Sequence, residues 1–501
     1  MRSKFLGVIA LIAVAALTAT ACSTDGQSPV DDGDAPESVI RIGMTTEAGS
    51  NYDPITNPNA FVAGYVSPVF DTLLVADGDT LGPGLVEEWD VEGERITLHL
   101  REGVTFHDGS PVDAEAVVAN LERARDDERS VVRRDLETVQ SATAVSTTEV
   151  ELIVPSGSGA VLAALAGRAG MVGSPAAFVE EDYSIKPIGA GPWTVSDDSV
   201  VGQRMVYTAY DGYWNPDVQG VDRIEIQLVD AQTAPNALLG GQIDIGTVEA
   251  RPDQIPTIEE AGFSLQTFPE VAYQHLMYMA KDGPLGDPRV RQAISLGIDR
   301  QSISDDVLQG ACVPQAAVQA LPGADGIEAP ARDVDAAKAL LAEAGFSDGV
   351  EFDVVVSSAG PGSTILQAIQ GQLEAVGITI NINPLARAQL LSTYVEGGAD
   401  AYWTVNTGDF DSAPLVAQLS TTMSPGGSDA DLDQLAAEGA DATDPAERAA
   451  IYTKWNERFA EGAFGVGLCN LTLPYMVREG VEGLQVKMPL HIDPRGLTMG
   501  E

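Results

Sequence analysis

The sequence predicts an α/β protein of more than one lobe, on three observations. Residues 38–501 are too many for one compact core and carry ordinary apolar content. The run from Val350 to Asn383 reads as strand, Gly/Ser/Pro loop, helix and strand, with Ile365, Ile369, Leu373 and Val376 on one helical face. Such a βαβ unit requires a parallel strand pair covered by helices. Finally, Val39–Met44, Val150–Val154 and Arg223–Val229 have strand character, and helices with clear start signals lie between strands.

Those start signals are specific. Asp287-Pro288 supplies an N-cap and a proline at the first helical position, and Val290, Ile294 and Ile298 continue as an apolar stripe. Asp444-Pro445-Ala446-Glu447 has a capping-box arrangement, after which Tyr452, Trp455 and Phe459 share a face expected to be core. Residues 335–344 form a further helix, ended by Gly345.

At the N-terminus, Arg2 and Lys4 precede an apolar run from Phe5 to Leu17 that ends in Ala19-Thr20-Ala21-Cys22. This is the pattern of an export signal, and the run is shorter than the roughly 18 residues that span a bilayer. Small residues leading into a cysteine resemble a lipoprotein cleavage site with Cys22 as the acylated residue, although Ala19 stands where such sites usually have leucine. Residues 1–21 are therefore read as signal peptide and 22–37 as a flexible acidic tether, too polar to bury a core. Removal of Cys22 to an anchor leaves Cys312 and Cys469, an even pair in an oxidising compartment and a possible disulfide.

The formal charge is −46, from 28 Lys and Arg against 74 Asp and Glu. That field repels phosphate backbones and anionic headgroups, so nucleic acid binding is excluded. Neither a phosphate loop of the G-x-x-x-x-G-K-[ST] type nor H-E-x-x-H nor G-x-S-x-G occurs, and the chain holds only His99, His107, His275 and His491. No cofactor, metal site or catalytic residue is assigned, and the chain is read as not an enzyme. Any ATP hydrolysis belongs to a partner. Gly189-Ala190-Gly191-Pro192 lacks the third glycine of a dinucleotide loop and reads as a turn.

The segment from Leu85 to Val117 contains Leu85-Val86-Glu87-Glu88-Trp89, then Leu100-Arg101-Glu102-Gly103-Val104-Thr105-Phe106-His107-Asp108-Gly109-Ser110-Pro111, then a helix opened by Asp113. It resembles the extracytoplasmic solute-binding proteins of family 5, which serve peptide and nickel importers of the ABC type. Gly189–Trp193, Tyr213–Pro216, Gly241–Asp244, Asp287–Ile294 and Lys338–Gly345 follow in the family's order. The residues of the first segment also make sense alone: Asp108-Gly109 is a turn and Asp113 a cap, so His107 and Asp108 have a structural role first.

The resemblance implies a two-lobed fold of the periplasmic-binding-protein type II kind, with an inserted third subdomain and a cleft between lobes. Lobe I is expected over 38–58, 185–270 and 471–501, the inserted subdomain over 59–184, and lobe II over 271–470. The implied function is capture of a solute, foremost a peptide, outside the membrane and delivery by cleft closure to permease subunits that work with cytoplasmic ATPases. The protein itself is expected as a monomer held to the membrane only by its lipid. A sugar or other small solute, a surface receptor without transport, and an envelope hydrolase are the alternatives. Candidate ligand contacts are Tyr52, Tyr273, His275, Trp403, Asn406 and Asp409, with Asp409 pairing with a peptide amino group and Asp411 as its rival.

Overall fold

The computed structural model describes residues 38–77, 80–248, 252–279, 283–318, 327–358, 361–407, 411–419, 423–487 and 491–500. Cys22, with the whole signal and tether, lies outside them. Among the described residues no helix is long and apolar enough to cross a membrane.

One mixed sheet of eleven strands runs through the molecule. Its order is Ile378–Leu385, Val350–Ser357, Ala401–Thr407, Phe263–Tyr278, Gly465–Arg478, Ile245–Thr247, Val39–Met44, Arg223–Leu228, Arg204–Ala209 and Trp193–Val195, with Cys312–Pro314 added beside Gly465–Arg478. The predicted βαβ unit is present, Val350–Ser357 and Ile378–Leu385 pairing in parallel through the helix Gly362–Glu374. Val39–Met44 pairs in parallel with Arg223–Leu228 at the other end. A separate antiparallel sheet takes the order Val86–Glu92, Arg95–Leu100, Glu149–Ile153 and Ser141–Ala144.

The predicted caps form as drawn from sequence. The carboxylates of Asp113, Asp287 and Asp444 accept from the amides of Ala116, Arg289 and Glu447, at 2.9, 2.9 and 2.8 Å. Each satisfies an amide that the first helical turn leaves open, worth about 1 kcal/mol. Tyr452, Trp455 and Phe459 are core residues, as expected.

Three large apolar clusters organise the chain. The first covers the small sheet and the helices Ala114–Asp126 and Ser158–Ala164. The second lies around the βαβ unit. The third joins Ile40, Ile42, Ile224 and Ile226 to Val477 and Ile492 near the C-terminus. Joining the second and third are the long antiparallel strands Phe263–Tyr278 and Gly465–Arg478, whose register shifts between Phe268 and Ala272 and again between Gln274 and His275. The expected crossings at 270–271 and 470–471 fall inside these two strands.

His107 and Asp108 work as structural residues. The His107 ring Nε2 lies 2.9 Å from the Gly191 carbonyl, and Asp108 accepts from the Ser174 hydroxyl and from the Ser110 amide. Gly191 must be glycine, since a Cβ there would stand 2.5 Å from the Val69 carbonyl carbon. Burial pushes the His107 imidazole below its ordinary value, which keeps it neutral between these elements.

Candidate functional site

A cavity of about 1430 Å³ opens between the first and third clusters on one side and the helices Ala413–Gln418 and Ala430–Asp441 on the other. It exceeds the roughly 300–1,000 Å³ of ordinary small-molecule clefts, so it has room for a solute of several residues with water. Its wall comes from distant parts of the sequence, including Asp71, Arg134, Trp214, Phe268, Asp411 and Arg495.

Ion pairs and hydrogen bonds cross-link that wall. Asp71 accepts from the Tyr213 hydroxyl, from Trp214 Nε1 at 2.7 Å and from Arg495 Nη2 at 2.7 Å. Arg495 also donates to Asp493 at 3.0 Å and to the Phe70 carbonyl at 2.8 Å, and Lys487 Nζ reaches Asp493 at 2.7 Å. Burial raises the Asp493 carboxyl, but Arg495 and Lys487 outweigh it and hold it well below the usual carboxylate range. The guanidinium of Arg101 stacks on Trp214 at 4.3 Å and fixes the indole.

On the opposite side Arg448 grips Asp411 with two hydrogen bonds of 2.7 and 2.6 Å, a bidentate pair. The same guanidinium donates to the carbonyls of Gly439, Ala440 and Ala442. Asp411 is thus fully engaged inside the protein.

Five of the sequence-derived candidates lie away from this cavity. Tyr52 is buried against Tyr65, and its hydroxyl accepts from the Gly202 amide at 3.1 Å. Tyr273, His275 and Asn406 share one face of adjacent strands, Tyr273 directly opposite Asn406. There Asn406 Nδ2 donates to the Val318 carbonyl at 3.4 Å, and Tyr273 packs on Ala317. Trp403 points to the other face, into the βαβ core. None of these five is among the residues lining the cavity. Asp409 lies outside the described residues.

His275 is fully buried, with Nδ1 2.9 Å from the Tyr273 carbonyl. A carbonyl only accepts, so Nδ1 carries the proton and Nε2 is left as an acceptor, without a partner among the described residues. Burial pushes its pKa down to about 4. Because the folded value lies below the ordinary 6.5, the neutral ring contributes stability above pH 6.5 that is lost as pH falls toward 4. The expected loss is about 3 kcal/mol across that window. Urea unfolding of wild type and His275→Gln from pH 7 to pH 4 measures it: the variant should show the shallower decline, and equal slopes would refute the assignment.

Residues 80–428 match the family described as bacterial extracellular solute-binding proteins, family 5 Middle. The chain belongs to this family. It is a solute-binding protein of the kind that serves ABC import, acting outside the cytoplasm. Among its relatives is the glutathione-binding protein GsiB of Shigella dysenteriae serotype 1 (strain Sd197), 27% identical over 397 residues, covering 74% of this chain and 76% of the relative. Two solved structures share the fold. NikA from Brucella suis in complex with Fe(III)-EDTA is 23% identical, with a TM-score of 0.79, over 92% of this chain and 99% of its own. DppA from Helicobacter pylori in complex with the peptide STSA is 20% identical, with a TM-score of 0.75, over 92% and 98%. The family 5 fold thus accounts for the mixed sheet and its two long crossing strands.

The cavity-wall ion network was not foreseen from sequence. Tyr213-Trp214 was the available signal, since that pair lies in a segment that resembles the family and both side chains bond to Asp71.

Proposed function

We propose that this family 5 protein captures a short zwitterionic peptide in the 1430 Å³ cavity and releases it to its permease when the cavity opens. The balance of charge on the wall carries this reading. Across the chain acidic residues far outnumber basic ones. In the cavity, Arg133, Arg134, Arg168, Lys487 and Arg495 match Asp71, Asp135, Glu137, Asp411 and Asp493 one for one. A lining so much less acidic than the protein suits a solute that bears both signs. GsiB, named for glutathione, and DppA, solved with the peptide STSA, support a peptide-type solute.

Asp411 is paired with Arg448 through two hydrogen bonds, and in this reading Asp409 is the carboxylate that meets the solute's amino group. In this reading residues 38–58, 185–270 and 471–501 make one lobe, 59–184 its inserted subdomain and 271–470 the other, with a solute in contact with both favouring the closed form. Cleavage before Cys22 and acylation of that residue would tether the protein to the outer face of the membrane as a monomer.

A thermal-shift screen with reduced glutathione, di- to octapeptides and uncharged sugars tests this, followed by calorimetry of the hits. Peptides should raise the melting temperature saturably, because a ligand that binds only the native state stabilises it. Asp409→Asn should weaken a peptide with a free amino terminus by about tenfold or more and leave its N-acetylated form unchanged. Stabilisation by sugars alone, or chemical conversion of the ligand, would overturn the reading.

A further inference from the structure

Two apolar cores meet where a glycine-containing turn lies close against a helix end. The helix Ser158–Ala164 belongs to the first core through Val161 and Leu162, and the helix Ala430–Asp441 belongs to another through Leu432. Where they touch, the Gly157 amide donates to the Asp441 carboxylate. A Cβ on Gly159 would overlap the Ala442 carbonyl oxygen and lie 2.6 Å from Arg448 Nη1. Gly157 and Ala160 on one side, and Asp411 and Ala440 on the other, also line the cavity.

From this we propose that the Gly157–Ala160 turn and the Asp441–Ala442 turn form the latch that holds the cavity closed, with Gly159 setting how far closure can go. Arg448 is the positioning residue. Its guanidinium gathers the carbonyls of Gly439, Ala440 and Ala442 while gripping Asp411, so one side chain links the latch to the cavity wall. The chemistry suits a reversible contact. Its polar groups exchange protein partners for water, so their net contribution is small and the solute supplies the remaining free energy. A large apolar interface here would hold the cavity shut without solute. The proposal rests on the solute-capture reading, but the latch can be tested without any solute.

Gly159 lies in a helix with an ordinary helical backbone, so Gly159→Ala favours the local fold while obstructing the contact. Hydrogen exchange of the Gly157 amide reports closure, because its hydrogen bond among the described residues runs across the contact. In the purified protein, Gly159→Ala should speed this exchange by about tenfold, with the urea midpoint held. The bulkier Gly159→Trp should enlarge the radius of gyration in X-ray scattering. Unchanged exchange in Gly159→Ala, or an unchanged radius in Gly159→Trp, overturns the latch. Titration with reduced glutathione separates the two ideas: faster exchange without glutathione binding in wild type keeps the latch and removes that solute.

Discussion

Substituting Arg495 by methionine is expected to lower the unfolding free energy by about 3–5 kcal/mol, one of the two largest effects anticipated for this protein. The magnitude follows from what is left behind. Asp71 and Asp493 are buried, and the one guanidinium bridges both at 2.7 and 3.0 Å. Methionine fills much of the volume but donates nothing, so two buried carboxylates lose a charge-assisted partner. Lys487 still serves Asp493. Among the described residues Asp71 then keeps the neutral donors Tyr213 and Trp214.

The pH dependence gives a second handle on the same network. In wild type Arg495 and Lys487 hold the Asp493 carboxyl well below its unfolded value, so the stability it contributes is present above that ordinary value and is lost as pH falls through the folded one. In Arg495→Met that depression shrinks, and the deficit relative to wild type should narrow as the solution is acidified. Chemical denaturation at pH 7 and at about pH 3, inside the window where the carboxyl titrates, measures both quantities. A loss below about 1 kcal/mol at pH 7 would mean that the network is already hydrated and contributes no more than a surface pair.

The contrast between what sequence revealed and what it hid has a physical basis. The βαβ unit and the helix caps depend on neighbours within a few residues, and Asp287-Pro288 or Asp444–Glu447 states its own geometry. The cavity wall depends on partners such as Asp71 and Arg495, 424 residues apart, for which spacing carries no signal. Aromatics near strand ends look alike whether they face a solute or a core. Tyr52 follows the first strand, as a cleft residue could, yet its hydroxyl is satisfied by the Gly202 amide inside the protein. Trp403 and Asn406 differ by three residues on one strand and so point to opposite faces, a distinction that period-two geometry fixes once the strand is known. Asp411 was a rival to Asp409 by sequence alone, and its bidentate pair with Arg448 joins two separate segments, a contact that no local spacing announces.

The second large effect concerns Cys312 and Cys469, which are joined in a disulfide with Cα atoms 5.6 Å apart. It ties the short strand Cys312–Pro314 to the long strand Gly465–Arg478, where Pro314 stands opposite Cys469 and Cys312 opposite Leu471. The cross-link closes a loop across a sequence separation of 157, which takes in the whole βαβ unit. Restricting an unfolded loop of that length stabilises the native state by about 5 kcal/mol in the chain-entropy account, and measured removals span about 2–5 kcal/mol. The double variant Cys312→Ala, Cys469→Ala is the fair comparison, because serine would place two hydroxyls in a buried apolar cluster. Its urea midpoint should fall sharply. Solute affinity should hold, since neither cysteine lines the cavity. A midpoint that stays within experimental error would mean that the strand pairing around Leu471 already confines this loop. A fall in affinity with the midpoint intact would instead make the bridge a brace for the crossing strands, because Gly465–Arg478 runs from the βαβ core to the cluster that supplies the cavity wall.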